Sequence, residues 1–489
     1  MLVSPMLLAD GYKISHIFMG DPQTTRIYSN WTPRMSRIVG QDKVVFFGLQ
    51  YFLEEYLTSQ FGQWFSKSKR EVVDEYQDTV VRYLGKSNAD TKHLEELHDL
   101  GYLPLQFRAL PEGTLCPLRV PMLTVENTHD SFAWLTNYVE TLMSNILWMP
   151  CTSATTAYRL RKLLDRGCDD TGGSIDFVPF QGHDFSMRGM AGLESACLSG
   201  AGHLLSFVGT DTIPALKFVD KYYNGKGCDL LGCSVPASEH SIVSCGGPDN
   251  EIDTINRILD VFPSGIISYV SDTYSLWDNL TKTLPALRDR ILSRDGTFVV
   301  RPDSGDPVKI VCGDNDSDDY CVKKGVIELL WDEFGGTINE KGFKQLSPKV
   351  GCIYGDSITY ERMNDIIEGL KAKGFASTNM VYGVGSFSYT YTTRDTYGFA
   401  MKATWAQING EGRDLFKKPV TDNGMKFSAT GRLAVIQNDE GELEVIERAT
   451  PEQEANSLLQ PVWQDGELLR IHGFETIRET LKNQEKVLV

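Results

Sequence analysis

Four short apolar runs, each closing on a polar tail and each followed or preceded by a helical stretch, constrain this chain more than any other feature. They are GIISYVSDTY (265–274), TFVVRPDSGDP (297–307), GCIYGDS (351–357) and MVYGVGS (380–386). Their Val, Ile, Tyr and Phe content reads as strand, and their Gly, Asp, Ser and Arg ends read as turns. Between them LWDNLTKTLPALRDRILS (276–293), VKKGVIELLWDEF (322–334) and YERMNDIIEGLKAKG (360–374) read as helices. A repeated strand–turn–helix rhythm builds parallel strands covered by helices, as a barrel or as an open sheet. In both arrangements ligands bind at the carboxyl ends of the strands. The four polar tails are therefore expected to line one site.

The flanks have a different texture. VVFFGLQYFLEEYL (44–57) reads as a strand or turn feeding a helix, and REVVDEYQDTVVRYL (70–84) as an amphipathic helix. LQFRALPEGTLCPLRVPMLTVENT (105–128) alternates and carries prolines, so it reads as short strands and turns. SFAWLTNYVETLMSNILWM (131–149) reads as a long apolar helix, and GRLAVIQNDEGELEVIE (431–447) as a hairpin. With 489 residues the chain exceeds the size of a single core. The expected division is a mixed α+β region at 1–150, an α/β unit at 151–390, and a mixed region at 391–489.

Charge excludes one class of partner. The net charge is −17, whereas a broad nucleic-acid surface needs a basic patch. A few clustered Arg and Lys can still make a positive pocket for a small anion. The ten cysteines are scattered without a CxxC pair, which reads as reduced thiols in a cytoplasmic protein. The chain start lacks the features of an export signal, and no apolar run is long enough to span a membrane.

The strand tails carry the candidate chemistry. In RPDSG (301–305) Arg301 offers forked donors for phosphate or an aromatic amide, and Asp303 can accept from ribose hydroxyls or hold Mg²⁺. The same pair could be a solvated ion pair. YGDS (354–357) and YGVGS (382–386) are glycine turns whose backbone N–H groups can face an anion. Neither a phosphate-binding P-loop nor a well-placed GxGxxG is present. In SVPASEHS (234–241) His240 is a candidate base or phosphate-accepting nucleophile, or a structural histidine, and Asp272 in VSDTY could orient it. HDFSMRG (183–189) offers Phe185 as a shelf for a flat ring, and GTDT (209–212) offers Asp211 as an acceptor for an amide. A helix face and a turn are the plainer readings of those two segments. GDNDSDDY (313–320) lacks the glycine and the closing glutamate of a calcium loop and reads as solvated.

Taken in order, these segments resemble the nicotinamide phosphoribosyltransferase family, a branch of the type II phosphoribosyltransferases. The resemblance runs nearly end to end, from LLADGYKISH (7–16) through VVFFGLQY, VENT, HDF, GTDT, SVPA, EHS, VSD, RPDSG, TRD and GRL. It implies an irregular α/β barrel with a mixed domain built from both chain ends, and a homodimer whose active sites are shared. It implies that nicotinamide and phosphoribosyl pyrophosphate are joined, with Mg²⁺ bound mainly through pyrophosphate and with ATP hydrolysis coupled through a phosphohistidine at His240, beside Asp272.

Carried over by matching position, the roles are these. Phe185 stacks on one face of nicotinamide, Tyr12 of the partner subunit stacks on the other with Asp10 beside it, and Asp211 accepts from the carboxamide. Arg301, Asp303 and Asp356 hold the ribose region, and Gly355, Gly385 and Ser386 present backbone to the 5′-phosphate. Arg188, Arg34, Arg394, Lys402, Lys417 and Lys426 match the pyrophosphate and ATP side. Four positions depart from the pattern: Ser386 replaces a glycine, Ala400 a serine, Met187 an aromatic residue and Gly11 a serine. Rival readings are a nicotinate or quinolinate phosphoribosyltransferase, which calls for a cation in place of Asp211, and a non-catalytic binding protein on the same scaffold.

Overall fold

The computed structural model describes residues 3–417 and 428–484, and the chain separates into two compact units. The first unit comprises Met1–Thr155, Phe218–Cys228 and Thr392–Val489. Its centre is a seven-stranded sheet with every pairing antiparallel. Thr24–Thr32 lies between Ala400–Ile408 and Leu123–Asn127, so both ends of the chain share one sheet. In Leu105–Ala109 every second residue is buried, which is the period-two pattern of a half-covered strand. The helix expected at 70–84 is Lys69–Leu84, and Ser68 caps it by accepting the N–H of Glu71 at 3.3 Å. The expected hairpin is Leu433–Gln437 paired with Leu443–Glu447.

The helix expected to end at 149 instead continues as Glu140–Thr171, through Pro150. Pro150 packs where Gly48 has no side chain: a Cβ there would approach the pyrrolidine ring to 2.5 Å. Gly48 also has φ +103, a conformation that favours glycine.

The second unit comprises Thr156–Lys217 and Asp229–Tyr391. Its strands are β1 (Gly182–Asp184), β2 (Gly209–Thr210), β3 (Ser264–Val270), β4 (Asp295–Arg301), β5 (Val350–Tyr354) and β6 (Met380–Val384). They form one parallel sheet in the order β2-β1-β6-β5-β4-β3. Both edges of the sheet bridge to the same segment. Gly209 of β2 pairs with Cys233, and Ser268 of β3 pairs with Ala237. Residues 233–237 thus close the ring, and the arrangement is an irregular barrel rather than an open sheet.

Helices α1 (Leu193–His203), α2 (His240–Gly246), α3 (Pro307–Cys312) and α4 (Ser386–Thr390) follow or precede strand ends of this barrel. Asp306 caps α3 with Pro307 at its first position, the expected start signal for Asp-Pro. The helix expected at 276–293 is two helical stretches, 276–286 with a π-helical middle at Asn279–Thr283 and then Arg288–Ser293, interrupted at Leu287. Alternation along β4 sorts its residues: Phe298 and Val300 enter the apolar core, while Thr297, Val299 and Arg301 face the barrel lumen. Among the described residues no helix is long and apolar enough to cross a membrane.

Candidate active site

Because the strands are parallel, their carboxyl ends gather at one end of the barrel, as the polar tails require. A cavity of about 520 Å³ runs inside the lumen. Phe185, Asp211 and Arg301 line it at strand ends, and His183 and Ser234 stand beside them. Phe185 continues β1, with its N–H donating to the carbonyl of Val384 at 2.9 Å. The ring lies directly over β6: a Cβ on Gly383 would come within 2.5 Å of it. Glycine at 383 therefore opens the floor on which the aromatic ring rests.

Asp211 follows β2 and its side chain is half exposed (49%). Its Oδ1 receives two hydrogen bonds, from His183 Nε2 at 2.9 Å and from Ser234 Oγ at 2.5 Å. Burial alone would raise this carboxyl. The bonds from His183 and Ser234, with the charges of His183 and Arg301, outweigh burial and hold its pKa below the usual aspartate value. Of the residues in HDF, the sequence alone points to Phe185. His183, two positions earlier, is a site residue that the sequence marks only through alternation, since alternate residues of a strand share a face.

A second cluster forms at the ends of β3, β4 and β5. Asp272 accepts the N–H of Asp303 at 2.9 Å and the hydroxyl of Ser304 at 2.5 Å on one oxygen. Its other oxygen is buried without a hydrogen-bond partner among the described residues. His240, the first residue of α2, has its Nε2 4.0 Å from Asp272 and 3.9 Å from Asp303, and its Nδ1 2.9 Å from the Thr273 hydroxyl. Burial raises the Asp303 carboxyl above the usual value. Arg301 and His240 oppose the rise, and the charges of Asp272 and Asp356 add to it. Arg301 donates from Nη2 to the carbonyl of Ser238 at 2.6 Å, while its buried Nε has no hydrogen-bond partner among the described residues. Tyr354 holds the RPDSG turn by donating to the carbonyls of Ser304 and Gly305, at 2.9 and 3.0 Å.

Gly355 joins the two clusters. A Cβ there would lie 2.6 Å from Asp303 Oδ1 and 3.5 Å from the Phe185 ring. Asp356 and Arg188 are exposed, and Gly385 and Ser386 follow β6. All of these residues belong to the second unit. Tyr12, Asp10, Arg34, Arg394, Lys402 and Lys417 belong to the first. There Asp10, Tyr12 and Arg394 border a cavity of about 240 Å³ with Glu140, and Tyr12 is 57% exposed. Burial lowers the pKa of Lys402, and the charges of Arg34, Lys417 and Lys13 lower it further against Glu140. The cations expected on the pyrophosphate side are thus partly gathered within that unit. Lys426 lies outside the described residues. No group of three or more His, Cys, Asp or Glu side chains among the described residues is arranged to hold a metal ion.

The site can hold a flat ring against Phe185, bind an amide or hydroxyl at carboxylates, and meet anions with Arg301 and backbone N–H groups. Residues 180–467 match the Nicotinate phosphoribosyltransferase (NAPRTase) family, and residues 4–105 match the Nicotinamide phosphoribosyltransferase, N-terminal domain. The chain is 45% identical to the nicotinamide phosphoribosyltransferase of Acinetobacter baylyi, over 99% of this chain and 98% of the relative. It is 34% identical to the nicotinamide phosphoribosyltransferase of Mycoplasma pneumoniae, over 85% of this chain and 92% of the relative. The fold is similar to that of nicotinate-nucleotide pyrophosphorylase from Pyrococcus furiosus, with a TM-score of 0.59 at 14% identity over 100% of this chain and 98% of that one. It is also similar to human nicotinic acid phosphoribosyltransferase, with a TM-score of 0.52 at 17% identity over 99% and 94% of the two chains.

Proposed function

The chain belongs to the nicotinate phosphoribosyltransferase family, and from that premise we propose that it joins nicotinamide to phosphoribosyl pyrophosphate, giving nicotinamide mononucleotide and pyrophosphate for NAD salvage. The observation that carries the choice of nicotinamide is Asp211. Its depressed pKa keeps it anionic at neutral pH, and both of its hydrogen bonds fall on Oδ1, so Oδ2 remains able to accept. A carboxamide N–H₂ suits that oxygen. The carboxylate of nicotinate or quinolinate would meet like charge there, which disfavours those rivals. A merely binding protein on this scaffold has no need of the intact Asp272–Asp303–His240 cluster.

In the reaction the pyridine nitrogen attacks C1′ of the ribose. The new C–N bond forms as the C1′–O bond breaks, and pyrophosphate leaves with the electron pair. The ring nitrogen is already nucleophilic, so the protein mainly positions the reactants and balances charge. Phe185 supports the ring, and Asp303 and Asp356 take the ribose hydroxyls. Arg301 spans the ring and ribose ends, and backbone at Gly355, Gly385 and Ser386 meets the 5′-phosphate. Mg²⁺ takes one or two carboxylates beside phosphate oxygens, which fits Asp303 and Asp356 with a pyrophosphate-bound ion. When bound, it neutralises the leaving group.

ATP enters the same reading as a co-substrate. Thr273 engages His240 Nδ1 at 2.9 Å, and Nε2 lies toward Asp272 and Asp303. We assign phosphoryl transfer to Nε2: the N–P bond forms as the bond from the γ-phosphorus to the ADP oxygen breaks. Exposed Tyr12 supports a homodimer in which Tyr12 of the partner subunit closes the ring pocket, with Arg34, Arg188, Arg394, Lys402 and Lys417 toward the pyrophosphate and ATP. All ten cysteines are unpaired, which supports a cytoplasmic setting.

One assay tests the proposal. Purified protein with Mg²⁺ and phosphoribosyl pyrophosphate should form nicotinamide mononucleotide from nicotinamide, far more slowly from nicotinate, and faster with ATP. No product above that of a chain carrying His240→Ala and Asp303→Ala together would overturn it.

A further inference from the structure

Behind the lumen, on the outer side of β1 and β2, lies a buried polar relay that the reaction above does not use. His203 ends α1 and is fully buried. Its Nε2 lies 2.9 Å from the carbonyl of Gly209, and its Nδ1 lies 2.5 Å from the hydroxyl of Tyr389. A carbonyl can only accept, so Nε2 carries the proton. Burial lowers the pKa of this imidazole, so it is neutral, and Nδ1 then accepts from the Tyr389 hydroxyl. The relay therefore runs in one direction: Tyr389 donates to His203, and His203 donates to Gly209.

Its two ends lie at different parts of the substrate site. Gly209 is the first residue of β2, two residues before Asp211. Tyr389 is in α4, whose first residue is Ser386, directly after Gly385. Helix α4 has five residues, barely more than one turn, and so short a helix does not hold its place by its own hydrogen bonds. Tertiary anchors must position it. Tyr389 is almost wholly buried, and Ser388 donates from Oγ to the carbonyl of Ile358 at 2.7 Å, tying α4 to the loop after β5. On a third side Gly189 comes so near that a Cβ there would approach the Ser386 Cβ to 2.6 Å. Close by, Asp184 Oδ1 accepts the N–H of Ser186 at 2.9 Å, which fixes the turn that carries Phe185.

We propose that Tyr389 and His203 are positioning residues. Their hydrogen bonds set the distance between the Gly385–Ser386 turn, which receives the 5′-phosphate, and the strand end that carries Asp211. Ring and phosphoribosyl group are thereby held in register for attack. The proposal rests on the assignment of substrates made above, and it concerns residues that touch neither substrate.

The test uses the full chain with Tyr389→Phe, which removes one oxygen and keeps the ring in place. Steady-state kinetics are taken against each substrate, with thermal melting in parallel. The expected result is a KM for phosphoribosyl pyrophosphate raised roughly tenfold, as for loss of a positioning hydrogen bond. The KM for nicotinamide should stay within about twofold. Substituting His203→Gln, whose amide can both accept and donate, should restore part of the loss seen with His203→Leu. An unchanged KM for phosphoribosyl pyrophosphate in an active Tyr389→Phe enzyme overturns the positioning role alone. Equal losses for both substrates that track a lowered melting temperature reduce the relay to a structural one and overturn it too. If the unaltered chain forms no nicotinamide mononucleotide, the substrate assignment fails and the positioning role falls with it.

Discussion

Asp211 receives two hydrogen bonds on Oδ1, so the donors decide which way its other oxygen faces. His183 and Ser234 both donate there, and His183 also helps to keep the carboxyl ionised against the effect of burial. Substituting His183→Phe keeps a ring in the lumen but removes the donor. The expected outcome is a fall of about tenfold in kcat/KM for nicotinamide, with a smaller preference over nicotinate. Asp211→Asn should lower the preference further. Parallel kcat/KM values for the two pyridines check this, and an unchanged ratio in both variants would remove Asp211 from substrate choice. At this scale much was legible beforehand. Arg301, Asp303, Asp272 and His240 stand at strand ends because turn residues and apolar runs announce themselves locally. For His183, strand alternation with Phe185 gives the face it shares, but nothing local marks it as a partner of Asp211. Only its distance to Asp211 gives it a partner.

Among the elements, the helical run beginning at Leu49 is held by a carboxylate that no motif advertises. Glu112 is buried, and it accepts the N–H of Gly48 at 2.9 Å and that of Gln50 at 2.6 Å, with the Tyr223 hydroxyl 3.2 Å away. An anion at a helix start is favourable, yet burial dominates and pushes this carboxyl up to about 7. A carboxyl raised on folding adds stability that is complete below its unfolded pKa of about 4.3 and is lost as pH rises through the folded value. Unfolding free energy should therefore decline from about pH 4.3 to about pH 7, by at most about 1.4 kcal/mol per pH unit from this group, and level off above that. Glu112→Gln should flatten that decline. Denaturant melts across the range would show it, and equal slopes for the two proteins would refute it. In the sequence Glu112 falls unmarked within the short strands and turns of 105–128, because burial is not a local property. The same holds for Pro150, where a local stop signal is overridden by the space at Gly48.

For the whole molecule, the groups assigned to one reaction lie in two units of the chain: Phe185, Asp211, Arg301 and Asp303 in the second, Tyr12 and Lys402 in the first. If active sites are shared in a homodimer, chains carrying Tyr12→Ala and chains carrying Asp303→Ala should complement each other. Each variant alone should be nearly inactive. Mixing after subunit exchange should recover on the order of a quarter of the unaltered activity, since half of the dimers are mixed and each has one intact site. Recovery would be absent if Tyr12 served its own chain. The apolar period and polar tails between 265 and 386 by themselves determined a parallel strand–helix unit with a site at its strand ends, because periodicity and turn chemistry depend on neighbours in the chain. Only the tertiary structure decided between open sheet and barrel, through the bridges of residues 233–237 to both edges. It also decided the pairing of Thr24–Thr32 with Ala400–Ile408, the His183–Asp211–Ser234 contact and the Tyr389–His203 relay. Those joins link residues far apart in sequence, and their stability comes from burial and hydrogen-bond satisfaction, which exist only once the chain has folded.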